Sequence, residues 1–137
     1  MATLVDTSYL FALTNQNDQN HAACLEVATT LQGVLILPIT VLPEIAYLLD
    51  SRLGHHVMRQ VMEQLVQPAW TLEMVNQVDL ERANAILAQY ADNRLDFVDA
   101  TIVAIAERLN VKQILTLDRR HFGAIRPLHC HALTILP

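Results

Sequence analysis

The stretch from Val98 to Leu109, "VDATIVAIAERL", constrains this chain more than any other. Read as a helix, it is apolar around most of its girth, whereas a helix lying on a protein surface shows one apolar stripe and one polar face. Such a helix has to be enclosed between layers, so the rest of the chain must supply elements on more than one side of it. A bilayer is not the answer, because a spanning helix needs about 20 predominantly apolar residues. The longest apolar stretch elsewhere, Val34 to Leu49, is interrupted by Pro38, Pro43 and Glu44.

The enclosing elements are legible on either side. Thr3–Val5, "VLILP" from Val34, "WTLEMV" from Trp70, "VKQILTLD" ending at Asp118 and "LTIL" near the C-terminus read as short buried strands: apolar runs rather than period-two alternation. Between them lie helical patterns. Tyr9–Leu13 is one; a second has Ala22, Leu25, Ala28 and Leu31 in register before Gly33. A third starts after a candidate cap at Thr40 and carries Leu42, Ile45, Leu48 and Leu49, with Pro43 tolerable in its first turn. "GHHVMRQVMEQLV" and "DLERANAILAQY" supply two more, through Val57, Val61, Met62 and Leu65 and through Leu80, Ala83, Ile86, Leu87 and Tyr90. Strands alternating with helices indicate an α/β fold with a mainly parallel sheet. At 137 residues, 53% of them hydrophobic and only 3 glycine, the chain suits a single domain spanning 1–137, with no linker or internal repeat.

Charge and cysteines narrow the function. A net charge of −5 argues against a broad cationic nucleic-acid surface, so any nucleic acid would be gripped locally or through metal. Cys24 and Cys130 are far apart and outside any C-x-x-C spacing, which reads as free thiols rather than a disulfide or a zinc site. Asp6 stands where a signal peptide would carry its apolar core, so a cytoplasmic location is expected.

The acids carry the chemistry. In open parallel sheets ligands bind beyond the carboxyl ends of the strands, and Asp6 and Asp118 both sit at such ends. Glu44 falls in the first or second turn of the helix after the second strand, and Asp99 in the first turn of the apolar helix. If all four face one crevice, they raise each other's pKa at separations of about 4–6 Å unless a cation intervenes. Carboxylate oxygens suit Mg²⁺ or Mn²⁺, and no Cys/His set selects zinc. The chemistry that follows is metal-assisted phosphodiester hydrolysis. Each acid also has a local explanation: Asp6 as a helix cap, Glu44 and Asp99 as favourable charges at helix starts, Asp118-Arg119-Arg120 as a solvated turn.

At these residues the sequence resembles the PIN-domain ribonucleases, and among them the VapC-type toxins of toxin–antitoxin pairs. "LVDTSYLFAL", "TVLPEIAYLL", "FVDATIVAIAERL" and "ILTLDRRHF" are similar to the family's four acidic segments, in order and spacing, over nearly the whole chain. The resemblance implies a three-layer α/β/α PIN-like fold and a catalytic quartet, Asp6, Glu44, Asp99 and Asp118, holding Mg²⁺ or Mn²⁺. Asp6 and Asp99 would be direct ligands, Glu44 would act through metal or water, and Asp118 would serve from outside or at a second ion. It also implies an RNA substrate, a homodimer and a small antitoxin partner whose Arg or Lys could enter the acidic pocket. Thr7, Ser8 and Thr116 are either water-holding hydroxyls or ordinary turn residues, and Asp96 reads as the cap of the helix carrying Asp99.

The remaining candidates are weaker. Arg119 and Arg120 could meet phosphates beside Asp118, as could Arg52, His55, His56 and Arg59, although the latter read more simply as a solvated helix face. His21 and His129-Cys130-His131 lack the third ligand a metal site needs, and Tyr47, Trp70 and Phe97 read as core. Rival functions are a haloacid-dehalogenase-type phosphatase, which wants Asp-x-Asp where this chain has Ser8, a receiver domain, which wants paired early acids, and a catalytically inactive PIN-fold binding module.

Overall fold

The computed structural model describes residues 1–137. Five strands, β1 (Ala2–Val5), β2 (Val34–Pro38), β3 (Trp70–Glu73), β4 (Gln113–Leu115) and β5 (Thr134–Leu136), form one sheet in the order β3-β2-β1-β4-β5. Every neighbouring pair is parallel, with Leu4 of β1 opposite Ile36 on one side and Ile114 on the other. Parallel pairing requires crossovers, and helices supply them: α1 (Thr7–Thr14), α2 (His21–Thr30), α3 (Val41–Leu53), α4 (His55–Leu65), α5 (Gln77–Gln89), α6 (Phe97–Leu109) and α7 (Arg119–Ala124). The chain winds outward from β1 through β2 to β3, then returns over α5 and α6 to place β4 on the opposite flank of β1. The strand order therefore reverses between β1 and β4, and a crevice opens beyond their carboxyl ends.

The core matches the enclosed helix of the sequence. Residues Asp99 to Ala106 of α6 are buried without interruption, and 26 buried apolar residues form one cluster joining α6 to the strands and to α1, α3 and α5. Thr101, fully buried in that run, donates to the Val98 carbonyl at 2.7 Å and shares a 2.8 Å hydroxyl contact with Thr40. Thr40 does precede α3, but it is not a side-chain cap; its hydroxyl is spent on Thr101 instead.

Other differences from the sequence reading have local causes. In α2 the buried face is Cys24 with half-buried Val27 and Leu31, while Ala22, Leu25 and Ala28 face solvent. Tyr47 and Phe97 are not core: they are 73% and 46% exposed. Trp70 packs half-buried against the core. β4 ends at Leu115 instead of running to Asp118, which caps the short helix α7. Both cysteines are free thiols, Cys24 buried and Cys130 half-buried. Gly33 is required where it is: its φ is +103°, and a Cβ there would fall 1.9 Å from the Met1 carbonyl oxygen. No helix is long and apolar enough to cross a membrane.

Candidate active site

Asp6 follows β1 directly and caps α1, with Oδ1 accepting from the Thr7 N–H at 2.8 Å. Its other oxygen accepts from the hydroxyls of Thr116 at 2.7 Å and Ser8 at 3.0 Å, and those two hydroxyls are 3.1 Å apart. The backbone after β4 completes the mesh, as Leu117 N–H donates to Ser8 Oγ and Asp118 N–H to Thr116 Oγ1, each at 3.0 Å. Ser8 and Thr116 thus orient the Asp6 carboxylate and stitch the ends of β1 and β4 together. Thr7 differs from both: its Oγ1 is buried and bonds to nothing.

Asp99 is set by its own helix. Asp96 caps α6, its Oδ1 accepting from the Asp99 N–H at 2.8 Å, which places Asp99 in the first turn, 6% exposed. Its carboxyl is pushed up to about 9, first by burial and then by the fields of Asp6, Asp96, Asp118 and Glu44. Every charge acting on it is negative. Glu44, in the first turn of α3, is also raised, chiefly by burial, against a weak contact with the Thr7 hydroxyl that lowers it, and further by Asp96 and Asp6. Asp6 is raised because burial outweighs its three hydrogen bonds, with Asp118 adding to the rise. The structure therefore brings Asp6, Glu44 and Asp118 within electrostatic reach of Asp99 at the crevice. The starts of α1, α3, α6 and α7 offer positive dipole ends there, each worth only about 0.3–1 kcal/mol per charge.

Asp118 caps α7, and a residue absent from the sequence reading takes both of its oxygens. His121 donates its backbone N–H to Oδ1 at 2.9 Å and its Nδ1–H to Oδ2 at 2.8 Å. Ligand atoms of Asp99, Asp118 and His121 lie within 4.8 Å of one another. The available signal was Asp-x-x-His at a helix start, hidden because this segment read as the end of a strand. A donor set dominated by carboxylates, none of the four paired with a lysine or arginine, fits a hard divalent cation with retained water.

The other candidates lie elsewhere in role. Arg119 bonds the Pro137 carbonyl oxygen, and Arg120 is exposed one residue before His121. Arg52, His55, His56 and Arg59 are exposed on α3 and α4, Arg52 standing eight residues along α3 from Glu44, or about 12 Å. His129 donates from Nε2 to the Val111 carbonyl at 2.7 Å, and His21 Nδ1 lies 2.9 Å from the Ala12 carbonyl, so both histidines serve the backbone.

Comparison with known proteins places this geometry in context. The PIN domain family model matches residues 3–126. Ribonuclease VapC26 of Mycobacterium tuberculosis is 34% identical over 134 residues, covering 98% of this chain and 99% of that protein. The crystal structure of M. tuberculosis VapC20, a sarcin-ricin loop cleaving toxin, superposes with a TM-score of 0.86 at 24% identity, covering 96% of this chain and 99% of that one. A toxin–antitoxin complex from Klebsiella pneumoniae shares the fold at a TM-score of 0.68 and 16% identity, over 98% of this chain and 96% of that one.

Proposed function

This chain belongs to the PIN domain family, and from that membership we propose that it is a ribonuclease: a hydrolase of RNA phosphodiesters that works with Mg²⁺ or Mn²⁺ held by Asp6, Glu44, Asp99 and Asp118. The observation that carries the reading is the placement of Asp99, buried at the crevice within the fields of Asp6, Glu44, Asp96 and Asp118, which together with burial push its carboxyl up to about 9. A crevice with that charge repels a phosphodiester unless a cation stands between them. The similarity to Ribonuclease VapC26 over nearly both full lengths supports RNA as the substrate.

A divalent cation supplies Lewis-acid stabilisation of charge on the phosphate oxygens and lowers the pKa of water. The chain's residues do the rest. Asp6, gripped by Ser8 and Thr116, and Asp99, fixed on a helix buried over eight consecutive residues, present carboxylates with little freedom to move. Glu44, raised and at the crevice edge, is placed to accept a proton from water.

The same reading makes the protein the toxin of a toxin–antitoxin pair, a single cytoplasmic domain acting as a homodimer and covered by a small antitoxin. Toxin–antitoxin complexes among its structural neighbours support the partner. The test is cleavage of labelled RNA with Mg²⁺, with EDTA, and by Asp6→Asn and Asp99→Asn. Each substitution is expected to lower the rate by at least about 10²-fold, and EDTA to abolish it. Cleavage at the wild-type rate by both variants, or undiminished in EDTA, would sink the proposal.

A further inference from the structure

We infer that His121 is a positioning residue of the crevice, whose imidazole sets the Asp118 carboxylate for the cation; this rests on the metal-dependent reading above. Asp118 is unlike its neighbours. Asp6 is held by residues of two strands' ends, and Asp99 is fixed by a buried helix, but Asp118 sits 30% exposed at the head of a six-residue helix. The cap bond from the His121 backbone N–H holds only its Oδ1 and leaves Oδ2 to be set by a side chain. The ring of His121 sets it: Nδ1 donates to Asp118 Oδ2 at 2.8 Å, and Nε2 meets the Asn93 carbonyl oxygen at 3.1 Å. Asn93 belongs to the 3₁₀ turn Ala91–Asn93, just ahead of the cap Asp96. The imidazole thus braces Asp118 against the segment that leads into Asp99, while buried Phe122, the next residue, anchors α7 beneath it. A carboxylate oxygen of Asp118 lies within 4.8 Å of one of Asp99.

Two conservative variants separate this role from a merely structural one. An asparagine amide nitrogen falls near the position of Nδ1 and keeps the donor to Asp118, whereas a glutamine amide nitrogen falls near Nε2 and keeps only the link to Asn93. Mn²⁺ affinity of the purified full chain is measured by calorimetry for the wild type, His121→Asn, His121→Gln and His121→Ala, with no RNA present. The expected result is about 10–100-fold weaker binding for the glutamine and alanine variants, the range for removing a partner that orients a ligand. The asparagine variant should stay within about threefold of wild type. Wild-type affinity in His121→Gln, or an asparagine variant as weak as alanine, overturns the positioning role while leaving the metal site standing. A wild type that binds no Mn²⁺ overturns the metal reading itself, and this inference with it.

Discussion

Asp99 shows how a residue proposed for function costs its fold stability. Its carboxyl keeps a proton to about pH 9 when folded but gives it up near 3.8 in an unfolded chain, so between those values the folded state binds more protons than the unfolded one. Stability then falls as pH rises, by about 1.4 kcal/mol per pH unit for one such group. Asp6 and Glu44, also raised, push in the same direction. Asp79 and Glu107 are lowered by their arginines and contribute stability above the unfolded carboxylate pKa, lost only as pH falls through their folded values. The metal-free protein is therefore expected to lose about 3–5 °C of Tm per unit between pH 5 and 8. Asp99→Asn should flatten most of that slope and raise the metal-free Tm at pH 8, while removing stabilisation by Mn²⁺. Melting curves in EDTA across this range check it, and an unchanged slope in the variant would count against Asp99 as the buried acid. The four acids could be singled out in the sequence because strand ends and helix starts are readable positions. His121 could not, since its role depends on a helix start at Asp118 that the apolar run before it concealed.

At the scale of elements, α5 and α6 are joined by charges that no periodicity reveals. Asp79, 2% exposed and part of a capping box with Asn76, receives Arg108 from α6 at 2.9 Å, and Arg108 also reaches Glu73. Arg82 pairs with Glu107 at 2.6 Å, and Glu107 accepts the Leu128 N–H as well. These partners are 29 and 25 residues apart in sequence, and such pairings depend on packing that helical patterns do not encode. The apolar stripes of α3 and the enclosed α6 were legible because large side chains recur at helical spacing. α2 was read one face out because its alanines fit more than one register, leaving burial to be decided by Cys24 and Val27 packing inward. α7, six residues long, is shorter than any period can mark. Arg108→Met should cost about 3 kcal/mol, the effect of leaving Asp79 buried without its cation. Asp79→Asn added to it should recover more than half of that loss, since the amide still accepts at the cap. Urea unfolding of the two variants decides; a double variant no more stable than the single one would mean that the charge on Asp79 is not what Arg108 answers.

For the whole molecule, the parallel order β3-β2-β1-β4-β5 was open to a sequence reading only as a class. Apolar runs announce buried parallel strands, but nothing in them says on which flank of β1 the fourth strand lies, and that choice creates the crevice. It also bears on the regulation proposed above. Overall charge is −5, and several acids face one opening, so the proposed divalent cation and a basic side chain from the proposed partner would answer the same acids. If the antitoxin proposed above inserts Arg or Lys there, each occupant weakens the other, and linkage requires the two effects to be equal. The expected coupling is at least about fivefold, within the usual range for coupled sites. Saturating Mn²⁺ should raise the Kd of the antitoxin by the same factor by which saturating antitoxin raises the Kd of Mn²⁺. Calorimetric titrations in both orders, at one pH and ionic strength, measure both factors. An antitoxin that binds Mn²⁺-loaded and Mn²⁺-free protein equally well would place its contacts away from the acids, and inhibition would then have to come from shielding the crevice against RNA rather than from neutralising it.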